Sequence, residues 1–218
     1  MTAAPERAAN GPRKAGVVPP WLRRLADVAH TMDVPAALIP PTTGGRPSAV
    51  LVLFADGPNG PDLLFILRSA DMRLHAGQPA FPGGSVDDED ENPAATALRE
   101  AAEEVGLDPR GVEVIGALPE VFLQHTGFRV IPVLAWWREP HAVSPVSAGE
   151  VAAVERISVA ELADPATRVM FRMPNGRSGP AFRVKGMVIW GFTAALVDRL
   201  LVLGGWEKPW DHSAVLDL

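Results

Sequence analysis

The chain has 218 residues, of which 47% are apolar and 21% are charged, which is typical of one globular domain with extensions and excludes a fibre or a wholly disordered chain. Its net charge of −6 excludes a general positive field that would hold a nucleic-acid polymer by its phosphates. Because the chain has no cysteine, disulfides, thiolate metal sites and cysteine nucleophiles are also excluded.

Residues 1–18 offer little that a core could bury, so we interpret them as a flexible arm. They lack the apolar stretch of a secretory signal, and no segment approaches 18 uninterrupted apolar residues. The longest candidate, Met187 to Leu203, is broken by Asp198 and Arg199. We therefore expect a cytoplasmic protein that does not bind a membrane.

A helix is predicted directly after this arm, because two prolines introduce apolar residues at helical spacing from Trp21 to Ala29. We expect this helix to pack on the main domain. The stretch Pro35 to Pro47 is rich in proline and glycine and is interpreted as a linker. Residues 19–46 thus precede a main domain at 47–204, and residues 205–218 form a tail.

Short apolar runs predict the strands of a sheet. Ala49 to Phe54 and Leu63 to Leu67 flank a dense cluster of turn residues and predict a hairpin of two buried strands. Further strands are predicted at 112–118 and 128–136, with Pro132 at a bulge or an edge, and a possible fifth at 151–157.

Helices at Pro93 to Val105 and Gly191 to Leu203 are predicted to frame this sheet, which gives an α/β or α+β layered domain. The first of them is well delimited. Asn92 suits the N-cap, Pro93 the first helical position, and Gly106 the left-handed residue after the last turn. An apolar stripe occupies one face of this helix, and three carboxylates converge on the other, those of Glu100, Glu103 and Glu104.

These carboxylates repel one another, and on the helix only Arg99 offers Glu103 an i,i+4 partner of opposite charge. Clustered carboxylates suit a hard divalent ion such as Mg²⁺, and the Gly83-Gly84 turn permits close approach of the backbone. A metal–phosphate site is one interpretation. A solvated helix face with ordinary surface glutamates is the other, and the helix alone leaves both open.

A Gly-Gly turn, an acidic loop and a capped helix in this order resemble the Nudix hydrolases. The box of that family reads Gly, five residues, Glu, seven residues, Arg-Glu-hydrophobe-x-Glu-Glu-x-Gly-hydrophobe, and residues 99–107 match its second half in full. Glu91 stands at the family spacing before Arg99, but the glycine position then falls on Ser85, because the loop has one residue more. Whether Glu91, Asp90 or neither takes the early acidic role is open.

The longer loop points to one branch of the family. The segments 67–69, 72–78 and 81–87, and the helix start at 190–194, look like the extended signature of coenzyme A pyrophosphatases. The resemblance covers roughly residues 47–204. It implies an α/β/α sandwich with a mixed central sheet, and a hydrolase that uses Mg²⁺ or Mn²⁺ to split the pyrophosphate of coenzyme A or its derivatives into 3′,5′-ADP and 4′-phosphopantetheine products.

The resemblance also implies roles for individual residues. Glu103 and Glu104 would ligate the metal, Glu100 would ligate metal or activate water, the Gly83 carbonyl would add a ligand, and Arg99 would orient the glutamates. The implied substrate-binding residues are Arg68, Arg73, His75, Gln78, Gly83 and Gly84. For the two arginines of that set the alternative is a surface pairing with the acidic run at 87–91.

The general base varies within the family, and Glu150 and Glu155 are candidates, although each is more simply interpreted as a surface or paired glutamate. The stretch 125–128 and the Trp136-Trp137 pair either face a ligand or fill a core. The tryptophans of the tail pack either across a homodimer interface or over the fold.

Two other functions stay open at this point. A Nudix enzyme of this kind could act on ADP-ribose, NADH or a nucleoside triphosphate instead of coenzyme A. A ligand-sensing domain without catalysis is the other, but such domains commonly lose glutamates of the box, and all three are present here.

Overall fold

A computed structural model of the chain describes residues 17–70 and 77–218. The α-helices of this part are α1 (Pro20–Ala29), α2 (Pro93–Val105), α3 (Val159–Leu162) and α4 (Gly191–Leu203). The strands are β1 (Arg46–Gly57), β2 (Gly60–Arg68), β3 (Pro79–Ala80), β4 (Gly83–Ser85), β5 (Val112–Ala117), β6 (Val121–Leu123), β7 (Phe128–Trp137), β8 (Val151–Ser158), β9 (Arg168–Arg172), β10 (Ser178–Val184), β11 (Met187–Ile189) and β12 (Val215–Asp217).

The main sheet has eight strands and is mixed. Its central path runs β3-β2-β1-β7-β5, in which β1 and β7 are parallel and their other neighbours are antiparallel. Three further strands pair with strands of this path: β4 with β1, β6 with β7, and β8 with β2. A second sheet of four strands has the order β11-β10-β9-β12. The predicted layered class with a mixed central sheet is confirmed.

Helices cover both faces of the main sheet because side chains of β1 alternate between two cores. Leu51 and Leu53 face a core that includes the apolar stripe of α2. Val52 and Phe54 face the opposite core, which α1 and α4 close. The acidic helix α2 therefore lies on one face of the sheet, and the N-terminal helix lies on the other.

Most of the predicted elements are present with bounds shifted by a few residues. Two interpretations need correction. The interval 35–47 is not all linker, since it contains a 3₁₀ turn at Ala36–Leu38 and the start of β1 at Arg46. Pro132 is not at an edge, because β7 is an interior strand; its carbonyl accepts from the Leu118 N–H, so the side that lacks an N–H faces the interruption of the ladder between β5 and β6.

The tryptophans pack within the fold. Trp21 of α1 contacts Phe54, Trp136 and Trp206 edge to face, with ring centroids 5.4, 6.2 and 5.2 Å apart. Trp137 is also buried. These contacts favour the core interpretation for the Trp136-Trp137 pair and packing over the fold for Trp206, while a homodimer stays a prediction.

Two further predictions concern the N-terminal arm and membrane-spanning helices. The predicted flexible arm lies outside the described residues except for Val17 and Val18. Within the described ranges no helix combines the length and the apolar character that crossing a bilayer requires.

Candidate active site

The Gly-Gly turn is held beside β1, where Gly83 and Gly84 pair with Val50 and Ala49. A Cβ on Gly83, whose φ is +153°, would overlap the backbone of β1. A Cβ on Gly84 would overlap the carboxylate of Glu100. Gly83 therefore requires glycine, because the backbone of β1 lies against it, whereas a side chain at Gly84 would displace the Glu100 carboxylate from the turn.

Helix α2 is fixed at both ends. The Asn92 side chain accepts from the N–H groups of Ala94 and Ala95 at 3.0 and 3.1 Å, and Gly106 ends the helix with φ 72°. The caps that the sequence predicts are present, and they set which turn of the helix lies over β4.

Glu104 is buried, with 3% of its surface exposed, and it accepts a hydrogen bond from the Gly83 N–H at 3.0 Å. Burial raises the pKa of this carboxyl to about 8, although the Gly83 hydrogen bond and the charge of Arg68 act in the opposite direction. A carboxyl in this position favours the neutral form unless a cation compensates its charge.

Glu100 is half-buried directly over Gly84. Desolvation raises its pKa, and the neighbouring Arg99 opposes this shift. Glu103 differs from both, because 59% of its side chain is exposed and its carboxylate points to the Arg99 guanidinium at 3.4 Å. Two of the three predicted carboxylates are thus brought together at the turn, and the third lies at the rim.

Arg99 connects the acidic loop with the helix. Its guanidinium donates to both oxygens of Asp90 at 3.1 and 2.9 Å, to the Ser85 carbonyl at 2.9 Å and to Glu100 at 3.2 Å. The expected i,i+4 pair with Glu103 is present as well. Asp90 is the main partner, since its side chain is 5% exposed and Arg99 lowers its pKa strongly.

The structure thereby favours Asp90 over Glu91 for the early acidic role, because Glu91 is exposed. Counting from the box of the family pointed to Glu91. The loop is one residue longer than in the family pattern, which indicated that the acidic position can shift by one residue. The direction of this shift depends on the turn at 87–90, where the Asp87 N–H donates to the Asp90 carboxylate at 2.9 Å.

Asp90→Asn should reduce kcat by roughly 10- to 100-fold, the usual effect of removing a residue that orients a metal ligand. The amide loses the charge that holds Arg99, so the guanidinium becomes free to move toward Glu100 and Glu103. Glu91→Gln is the matched control and should retain kcat within about twofold. Steady-state kinetics of both variants test this, and equal losses in the two would contradict it.

Arg68, at the end of β2, lies close enough to Glu104 for its charge to lower the pKa of that carboxyl. The backbone N–H of Arg68 donates to the Gln78 carbonyl at 3.1 Å, which brings the backbone of Gln78 next to the end of β2. This position favours the site interpretation of Arg68 over a surface pairing with 87–91. The predicted residues Arg73 and His75 lie outside the described residues.

The two candidate bases are separated by the fold. The Glu150 carbonyl accepts from the Ser69 N–H at 2.7 Å, directly beside Arg68, and the charge of Glu150 contributes to the raised pKa of both Glu100 and Glu104. Glu155 instead bonds to Lys185 at 3.0 Å in the middle of β8. These positions favour Glu150 over Glu155 as a member of the candidate site, and Glu155 is a paired surface glutamate.

The donors fit a divalent ion. Among residues 17–70 and 77–218 no three acidic or histidine side chains already enclose an ion site, because Glu103 is turned toward Arg99. Its exposed side chain is free to rotate toward the other two. Glu100 and Glu104 supply hard oxygen donors, and burial raises the pKa of both carboxyls because it disfavours their charged forms. A bound Mg²⁺ or Mn²⁺ would compensate this carboxylate cluster.

Comparison with known proteins gives a consistent result. A family model described as NUDIX domain matches residues 45–174. A protein of Cronobacter sakazakii called uncharacterized Nudix hydrolase NudL is 43% identical over 171 residues, which cover 75% of this chain and 85% of that protein. The protein of the same name in Escherichia coli K12 is 39% identical over 175 residues, covering 77% and 87%.

Among solved structures, a Nudix hydrolase from M. smegmatis, RenU, aligns with a TM-score of 0.53 and 22% identity over 78% of this chain and 92% of its own. A NUDIX hydrolase from Nitrosomonas europaea aligns with a TM-score of 0.51 and 13% identity over 82% of each chain. At these identities the two structures support the fold alone.

Proposed function

The chain belongs to the Nudix hydrolase family, and from this premise we propose that it uses Mg²⁺ or Mn²⁺ to hydrolyse the pyrophosphate of coenzyme A or its derivatives to 3′,5′-ADP and a 4′-phosphopantetheine product. The observation that carries the reaction type is the packing of Glu100 and Glu104 against the Gly83-Gly84 turn, with Arg99 tied to Asp90 behind them. The segments around Arg68 resemble the signature of coenzyme A pyrophosphatases, and the charge of Arg68 acts on Glu104. Both observations support coenzyme A as the substrate.

The metal would be held by Glu100, Glu103 and Glu104, with the Gly83 carbonyl in the same turn. When bound, it supplies compensation for the negative charge that develops on the phosphoryl oxygens, and it makes bound water more acidic. Arg99 keeps the carboxylates oriented through its bonds to Asp90 and Glu100. Arg68 would donate a forked pair of hydrogen bonds to a phosphate group.

Glu150 is the general base of this proposal. It would accept a proton from the attacking water, whose oxygen forms a bond to phosphorus while the anhydride P–O bond breaks and the second phosphate leaves. The supporting observation is its position beside Ser69 and its charge coupling to Glu100 and Glu104.

Glu150→Gln should reduce kcat by roughly 10²- to 10⁴-fold, the range for loss of a general base. The amide keeps the size of the side chain but accepts no proton. Glu155→Gln is the matched control, because it removes the same charge from an exposed pair in β8, the strand that directly follows Glu150, and it should retain kcat within about threefold. Wild-type turnover in Glu150→Gln would remove Glu150 from the mechanism.

The substrate is tested by incubating purified protein with Mg²⁺ or Mn²⁺ and coenzyme A, acetyl-coenzyme A, ADP-ribose, NADH and nucleoside triphosphates in separate reactions. We expect 3′,5′-ADP from the coenzyme A substrates, separated by anion-exchange chromatography. Cleavage of only the other compounds would leave a Nudix hydrolase with a different nucleoside diphosphate substrate. Tight binding without turnover in the whole panel would favour a ligand-sensing domain.

A further inference from the structure

The loop between β7 and β8, residues 138–150, is bound along the C-terminal end of α2. The N–H of Val146 donates to the carbonyl of Glu104 at 2.9 Å, and the N–H of Ser144 donates to the carbonyl of Val105 at 3.2 Å. Helices leave the carbonyls of their last turn without partners inside the helix. The loop therefore completes α2 at the residue whose carboxylate lies in the candidate site.

His141 fastens the outer end of this loop. The backbone N–H of Asp108, just beyond α2, donates to Nε2 of His141 at 3.1 Å. Because Nε2 accepts, Nδ1 carries the proton and donates to the Ala142 carbonyl at 2.9 Å. The ring also packs edge to face on Trp137, with centroids 5.3 Å apart. These three contacts fix both the tautomer and the orientation of the imidazole.

The inner end of the loop carries Glu150. The Ser147 carbonyl accepts from the N–H groups of Glu150 and Val151 at 2.9 Å each, and the Glu150 carbonyl accepts from Ser69. From Val146 to Glu150 the chain makes one tight turn. The loop thus runs from the backbone of Glu104 to Glu150, whose charge contributes to the raised pKa of Glu104.

We propose that His141 is a positioning residue, which fastens the loop 138–150 to the end of α2 and so holds Glu150 in place relative to Glu100 and Glu104. This inference rests on the proposed function, in which Glu150 accepts the proton of the attacking water. His141 does not touch the substrate; it acts through the loop.

The test compares two substitutions that differ in one hydrogen bond. His141→Phe keeps a ring on Trp137 but accepts nothing from Asp108, whereas His141→Gln retains an acceptor. We expect His141→Phe to lower kcat by roughly 10- to 100-fold, as for other residues that orient catalytic groups, with KM changed less than about twofold. His141→Gln should recover kcat to within about threefold of wild type. A loss confined to KM, or equal losses in both variants, would overturn the proposal.

A double-mutant cycle separates this inference from the assignment of Glu150. If His141 acts through Glu150, His141→Phe causes no further loss of kcat in the Glu150→Gln background. A further loss equal to that in the wild type would overturn the inference while the proposed function stands. The cycle is run on whichever compound of the substrate panel gives the fastest turnover. A wrong assignment of coenzyme A as the substrate is then distinguished from a wrong role for His141.

A readout without substrate covers the case in which no compound is turned over. Amide hydrogen exchange of Ser144 and Val146 should be faster in His141→Phe than in wild type or His141→Gln, because the loop is released from α2. Val146→Pro, which removes one of these N–H groups, and Val146→Ala, which keeps it, form a second pair with the same expected split in kcat. Unchanged exchange together with unchanged kcat in both pairs would refute the proposal.

Discussion

Glu104→Gln should lower turnover by more than the roughly 10- to 100-fold that loss of an outer-shell partner of a metal ligand causes, because it removes the charge of a ligand itself. It should at the same time stabilise the metal-free protein at pH 8. The two effects have one cause. The Glu104 carboxylate is buried beside Gly83, and its pKa is raised to about 8 from an ordinary value of 4.5. A glutamine can still accept the Gly83 hydrogen bond but carries no charge that burial disfavours.

The sign of the pH dependence follows from proton linkage. Between pH 4.5 and 8 the folded, metal-free protein holds a proton on Glu104 that the unfolded chain has released. The free energy of unfolding therefore falls as the pH rises through this window, by up to roughly 1.4 kcal/mol per pH unit. In Glu104→Gln this contribution to the slope disappears. Urea unfolding in the presence of a chelator at pH 5 and pH 8 measures both proteins.

Glu103→Gln is the control for this experiment, because it removes a carboxylate of the same box from an exposed position. It should lose turnover as Glu104→Gln does, but keep the pH dependence of wild-type stability. If the metal-free wild type were equally stable at pH 5 and pH 8, Glu104 would not hold the proton that its burial implies. Full activity in both variants would refute their role as ligands.

Leu22→Ala should destabilise the protein by about 2–5 kcal/mol, the cost of truncating a fully buried leucine. Leu22 lies on α1 at 0% exposure, in the core that also contains Phe54 and α4. For a chain of this length the melting temperature should fall by roughly 5–15 °C. The activity of the folded fraction should not change, because α1 and α2 lie on opposite faces of the main sheet.

Val28→Ala on the same helix is the matched control. Val28 is 45% exposed, so its truncation should change the free energy of unfolding by no more than about 0.5 kcal/mol. Denaturant titrations followed by tryptophan fluorescence compare the two variants. A loss below about 1 kcal/mol for Leu22→Ala would mean that α1 contributes little to the core.

Local patterns predicted the site better than they predicted its surroundings. The caps of α2, its carboxylate face and the hairpin of β1 and β2 depend on residues close together in the chain, and all are present. The second sheet was not predicted, because its strands are short and β12 pairs with β9 from a distant part of the sequence. Pairing over such separations leaves no periodic signal in either strand.

The same distinction applies within the site. Spacing on one helix indicated Glu100, Glu103 and Glu104, but it gave no means to choose between Glu150 and Glu155. That choice depends on the register of β8 against β2, in which Val151 lies opposite Arg68 and Glu155 lies opposite Phe65. A strand pairing therefore decides which of the two glutamates lies beside Arg68 at the candidate site.

The contact of Trp21 with Trp206 has a consequence for how the protein is made. During synthesis α1 leaves the ribosome early, whereas α4 and Trp206, which cover its apolar side, emerge after nearly all of the sheet. Until then the core that buries Leu22 and Leu25 is incomplete, and apolar surface that is exposed during folding favours aggregation. Final closure of this core is thus a late step, and slowing translation just before α4 would prolong the interval in which the nascent chain is prone to aggregate.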